Sequence, residues 1–181
     1  HKPENNLLFG YGRADEVRRQ FLIPLWNVYS FFVTYADIDG WEPTGDSSEG
    51  QTLLDTWILA RLNQVAAQVT DRLENYDAYG ATLAVEPFLG DLTNWYVRRS
   101  RRRFWKSEHD ADKNAAYATL YRVLTTLCQL LAPITPFVTE VMYQNLVRTL
   151  VRAVDVDAPE SVHHTDWPQA DAAAVDENLL A

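Results

Sequence analysis

Over most of this chain, apolar residues return every three or four positions, and few glycines or prolines interrupt them. That period lets an α-helix turn one face to a core, and it does not match the alternation of a half-buried strand. Val17, Phe21, Leu25, Val28, Phe32 and Tyr35 mark a first helix from Ala14 to about Ala36, with Asp15 and Glu16 complementing its dipole. Leu22, Trp26, Tyr29 and Val33 widen its apolar face towards two neighbours, and Pro24, which cannot bond back to Gln20, predicts a kink. Gly10 and Gly12 lack the third glycine of a dinucleotide loop and read as a turn into this helix after a polar, extended opening. A second helix spans about Thr52 to Asn75 on the seam Leu54, Ile58, Leu62, Val65, Val69, Leu73 and Tyr76, after a loop from Asp37 to Gln51. A third starts near Asp77 with Val85, Phe88, Leu89, Leu92, Trp95 and Tyr96 on one face and should bend at Pro87. A polar connector from Lys106 to Asn114 offers Asp110 or Asp112 as the cap of a fourth helix, whose seam is Tyr117, Leu120, Leu124, Leu127 and Leu131. Thr135 can cap, and Pro136 can open, a fifth helix that fades near Val151. The pattern predicts an all-α fold: an antiparallel bundle of four to five helices over residues 1–152. A short irregular or extended appendage over 153–181 follows, with Trp167 docked on the bundle and Asp171 to Ala181 opening a further, truncated region.

Composition narrows the function. The apolar share of 47% supplies a packed core, whereas a net charge of −9 opposes wholesale binding to a polyanion. The lone Cys128, set in an apolar stretch, cannot close an internal disulfide and places the chain in a cytoplasmic setting. No signal peptide is recognised, and no uninterrupted apolar run reaches membrane-spanning length, so no membrane partner is expected. His1, His109, His163 and His164 have no zinc spacing, and Glu108 to Asp112 lacks the glycine and distal glutamate of a calcium loop, so no metal site is expected. Neither a nucleophile elbow nor a phosphate-binding glycine loop occurs, and no catalytic residue is assigned.

One stretch departs from the acidic background. Asn94 to Trp105 reads N-W-Y-V-R-R-S-R-R-R-F-W, and residues 98–106 hold six of the sixteen basic residues and no acid. Arginine forks that grip phosphate pairs, interleaved with aromatic faces, suit RNA. A solvated helix face would also account for the run. Counted forward at 100° per residue, the buried seam of the third helix continues to Arg99 and Arg103, which are therefore expected to bond carboxylates or helix-end carbonyls. Arg98 and Arg102 flank that seam and Arg101 lies opposite, near Val97 and Phe104. Arg98, Arg101, Arg102 and Lys106, with Trp105, are the RNA-binding candidates; Trp95 and Tyr96 are expected in the core.

These residues also carry a resemblance. Leu25 to Phe32 (L-W-N-V-Y-S-F-F), Leu54 to Leu62 (L-D-T-W-I-L-A-R-L), the arginine stretch, and Leu131 to Phe137 (L-A-P-I-T-P-F) resemble the anticodon-binding domain of isoleucyl-tRNA synthetase. Ser161-Val162-His163 with Trp167-Pro168 is similar to the segment that follows that bundle, and N-W-Y-V-R-R-S-R-R-R-F-W is the most specific element. The resemblance implies a helical bundle that docks the anticodon stem and loop of an isoleucine-accepting tRNA. The catalytic domain of the same chain would activate isoleucine with ATP and Mg, in a monomer. The H-I-G-H and K-M-S-K-S signatures of that catalytic fold are absent, so this piece by itself is expected to be inactive and to need no cofactor. The alternatives are a helical protein-interaction module, or the equivalent domain of a valine, leucine or methionine relative.

Overall fold

The computed structural model describes residues 10–43, 49–149, 158–171 and 179. Among them there are five long helices and no strand. The first, α1, runs Tyr11–Asp39, with a π-helical turn at Arg18–Leu22 between α-helical Tyr11–Val17 and Ile23–Asp39. It therefore begins three residues before the expected start, at Tyr11, with Gly10 as its N-cap, and ends on Gly40 in the left-handed region (φ 61°). The interruption expected at Pro24 takes the form of that wide turn, which ends two residues upstream of the proline's missing donor.

Helix α2 is Leu53–Glu74, opened by a reciprocal capping box between Thr52 and Asp55. Helix α3 covers 78–105 as α-helical Ala78–Gly90, a π-helical Asp91–Val97 and α-helical Arg98–Trp105; the Asp77 side chain caps it by accepting from the Gly80 N–H at 2.8 Å. Helix α4 is Ala111–Leu131, and its cap is Asp110 rather than Asp112, accepting from the Lys113 N–H at 2.8 Å. Helix α5 joins Pro136–Tyr143 to a π-helical Gln144–Thr149. Pro136 opens it as expected, but the Thr135 side chain accepts no cap bond and instead donates back to the Leu131 carbonyl at 3.4 Å.

Helix α4 is the axis of the bundle. Twelve of its 21 residues are buried, so it is covered nearly all round rather than along one seam. It meets α1, α2, α3 and α5, and the core gathers Phe32, Ile58, Phe88, Leu92, Leu120, Leu124 and Leu127 around it. Withdrawing each such side chain from water contributes ~2 kcal/mol. Cys128 lies inside this core, and burial pushes its thiol up to about 12. By length and mean hydropathy α1 is apolar enough to cross a bilayer, although no uninterrupted apolar run within it reaches that length. Its buried side chains Leu25, Val28, Phe32 and Ala36 belong instead to the bundle core.

Residues 158–171 return across the bundle. The Tyr143 hydroxyl donates to the Pro159 carbonyl at 2.9 Å, and Glu140 accepts from Ser161 Oγ at 2.9 Å and the Val162 N–H at 3.0 Å. Trp167 docks as expected, its Nε1–H donating to Thr70 Oγ1 at 2.8 Å on α2. Val162–His164 forms a 3-10 turn where an extended piece was expected, because Ser161 Oγ caps it by accepting from the His163 N–H. The expected opening at 1–9, the boundary at 152, the end of the fifth helix near Val151 and most of the expected terminal helix lie outside the described residues.

Candidate nucleic-acid interface

The geometry of the arginine stretch is set by the π-helical turn just before it. Thr93, within the turn, donates its hydroxyl to the Leu89 carbonyl at 2.8 Å and the Gly90 carbonyl at 3.2 Å, taking acceptors from the backbone ladder. Pro87 upstream supplies no donor at all. A wider turn holds more residues per revolution, so everything after it is rotated relative to an unbroken α-helix, by about 100° for one extra residue. The buried set shows this shift. Before the turn it is Ala81, Val85, Phe88 and Leu89; after it, Tyr96, Val97, Ser100 and Phe104. An unbroken count leads through Trp95 and Tyr96 to Arg99 and Arg103, whereas the structure exposes Trp95 and Arg99 and buries Tyr96, Ser100 and Phe104.

The rotation corrects several expectations. Arg99 is exposed, with its guanidinium 5.7 Å over the Trp95 ring, and among the described residues it holds no carboxylate. Trp95 itself is 53% exposed rather than core, while Tyr96 is fully buried as expected. Val97 and Phe104 are buried, Phe104 edge-on to Tyr117 at 4.9 Å and to Phe31 at 5.1 Å. Arg101 therefore does not share their side. Arg98, Arg101 and Arg102 are exposed and fall with Trp105, at 54% exposure, on one stripe with i, i+3, i+4, i+7 spacing. Asn94 and Trp95 extend that stripe one turn back. Among the described residues no carboxylate pairs with Arg98, Arg99, Arg101 or Arg102.

Arg103 and Lys106 are tied down. Arg103 Nη1 reaches Asp55 at 2.8 Å, its Nε reaches Asp112 at 2.7 Å, and its Nη2 donates to the Asp112 carbonyl at 2.9 Å. Burial works against its charge, but Asp55 outweighs that and raises its pKa further. Asp55 is fully buried and accepts from the Thr52 N–H and Oγ1, Tyr96 hydroxyl and Arg103 at 2.7–2.8 Å. Burial pushes this carboxyl up, yet the bonds from Arg103, Tyr96 and Thr52 prevail and hold it below the ordinary carboxylate range. Lys106, expected to reach outward, instead binds Asp110 at 2.6 Å and Asp112 at 2.8 Å. Those two carboxylates overcome its desolvation and raise its pKa. Nearby, Lys113 is buried in an ion pair with Asp39 at 2.6 Å, and the Tyr117 hydroxyl bonds the same carboxylate. The α3–α4 corner is thus clamped from within while the arginine stripe stays open. Among the described residues no cluster of side chains could hold a metal ion.

Residues 55–180 match the family described as the anticodon-binding domain of tRNA ligase. The chain is 56% identical over 178 residues to an isoleucine–tRNA ligase of Dehalococcoides mccartyi, covering 98% of this chain and 17% of that protein. It is 47% identical over 181 residues to that of Thermus thermophilus (99% of this chain, 17% of the relative) and 42% identical over 172 residues to that of Streptomyces avermitilis (94% and 16%). The chain therefore spans about a sixth of the length of these curated relatives. Its bundle, its arginine stretch and the family match over residues 55–180 agree, and the chain belongs to the anticodon-binding domain family of tRNA ligases.

Proposed function

We propose that the α3 stripe docks the anticodon arm of an isoleucine-accepting tRNA, within a longer isoleucine–tRNA ligase. Other parts of that ligase activate isoleucine with ATP and Mg and transfer it to the tRNA. The working form is a cytoplasmic monomer in which the catalytic domain of the same chain holds the other end of the tRNA. One observation carries this reading: Arg98, Arg101 and Arg102 stand exposed on one face beside Trp105, with no carboxylate partner among the described residues. Arginines kept free of internal partners on an acidic protein are available to phosphates, and the indole offers a face to a base or ribose. Lys106 takes no part, because Asp110 and Asp112 already bind its ammonium.

The test is a titration of the 181-residue chain with tRNA at several salt concentrations. Each phosphate neutralised contributes about −0.7 to −0.9 to the slope of log K against log salt. Replacing Arg98, Arg101 and Arg102 together by glutamine should flatten that slope by about 2 to 3. An unchanged slope in the triple variant would remove this face as the docking surface.

A further inference from the structure

Helices α1 and α3 leave between them a groove of about 540 Å³, and both of its walls pass through a π-helical turn. Gln20 comes from the Arg18–Leu22 turn; Thr93, Asn94 and Val97 come from Asp91–Val97. Asn27 on one wall and Asn94 on the other line the groove with side-chain amides, and neither has a hydrogen-bond partner among the described residues. Arg98 and Arg101, two members of the exposed stripe, line one end, and Glu86 lines the same wall further back along α3. Phe31 gives the groove an apolar side.

That chemistry is ordered along the groove. A primary amide presents a donor beside an acceptor, as the edge of a nucleobase does. A guanidinium fits a phosphate, whereas Glu86 repels one and accepts from an exocyclic amine. Asn94 precedes Arg98 and Arg101 by four and seven residues, roughly 6 to 10 Å along the helix axis. That separation suits the base and phosphate of one nucleotide. Glu86 lies roughly 18 Å from Arg98 on the same measure, so the phosphate end is fixed. We infer that this groove receives one unpaired nucleotide of the docked RNA, its phosphate at Arg98 and Arg101 and its base edge on Asn27 and Asn94. The inference rests on the RNA-docking reading above and adds to it a place where a single base is read.

The probe is a hairpin with the anticodon arm of an isoleucine-accepting tRNA, intact or with one loop base removed at a time. Against the unmodified chain, loss of one particular base should weaken binding about tenfold. The variant carrying Asn27→Ala and Asn94→Ala should bind the intact hairpin about tenfold more weakly and lose nothing further when that base is removed. Its salt slope should match that of the unmodified chain, and both asparagines are exposed, so its thermal midpoint should hold. A variant that keeps the unmodified chain's affinity and position dependence would overturn the inference and leave the groove to a protein surface. So would an unmodified chain indifferent to every base removal. Either result, with the slope still flattened by the triple arginine replacement, would sink the groove alone. An unflattened slope would sink the docking reading beneath it.

Discussion

Replacing Asp55 by asparagine should destabilise the chain by about 3 kcal/mol, the low end for removing one partner of a buried ion pair. The low end applies because Arg103 keeps a second carboxylate, Asp112, at 2.7 Å and that residue's carbonyl at 2.9 Å. The loss is still large, since the asparagine amide turns donors towards groups that already donate: the Thr52 N–H, the Tyr96 hydroxyl or Arg103. Against a typical total of roughly 5–15 kcal/mol this is a sizeable fraction. Urea unfolding followed by far-ultraviolet circular dichroism should show a lower midpoint with an unchanged slope. The pH dependence supplies a second reading. The folded-state pKa of Asp55 is lowered, so its contribution is complete above the unfolded value of about 4 and is lost as pH falls through the lower folded value. The difference between the two proteins should therefore be constant near neutrality and shrink below about pH 4. A loss below ~1 kcal/mol at pH 7, the worth of an exposed pair, would refute the view that Asp55 clamps α2 to α3.

Two further substitutions probe how the surrounding parts are held. Gly50 has φ 83°, and a Cβ there would come within 2.4 Å of the Ala111 carbonyl carbon, so Gly50→Ala should cost more than ~1 kcal/mol and lower Tm by at least about 2 °C in calorimetry. Trp167→Phe removes the bond to Thr70 Oγ1 and should cost about 1 kcal/mol, with faster amide exchange confined largely to residues 158–171.

Much of the fold is legible in the sequence because it follows one period. The seams of α2 and α4, the caps at Thr52 and Asp110, and the return of Trp167 to the bundle are local consequences of residue type and spacing. What is not legible is the change of period inside α3. Thr93 and Pro87 each disturb the ladder, but neither residue type fixes how many residues the wide turn takes up. A shift of one residue is enough to exchange Arg99 for Ser100 at the core and to bring Trp95 out to the surface. Arg103 bonds carboxylates, as a place on the seam requires, yet its partner Asp55 lies 48 residues away, a contact only the packed bundle reveals. Lys106 shows the converse: its partners Asp110 and Asp112 are close in sequence, and the capping role of Asp110 does not prevent its carboxylate from binding the ammonium as well.

The rotation of α3 is tested most directly by the salt slope of tRNA binding for five single variants, with glutamine at Arg98, Arg99, Arg101, Arg102 or Arg103 in turn. Replacement at 98, 101 or 102 should each flatten the slope by about 1. Replacement of Arg99, off the stripe and over Trp95, should flatten it less; replacement of Arg103 should leave the slope alone and lower stability instead. An Arg99 variant that leaves the slope alone and loses stability as the Arg103 variant does, as an unbroken helix with Arg99 on its buried seam would give, would contradict the rotation.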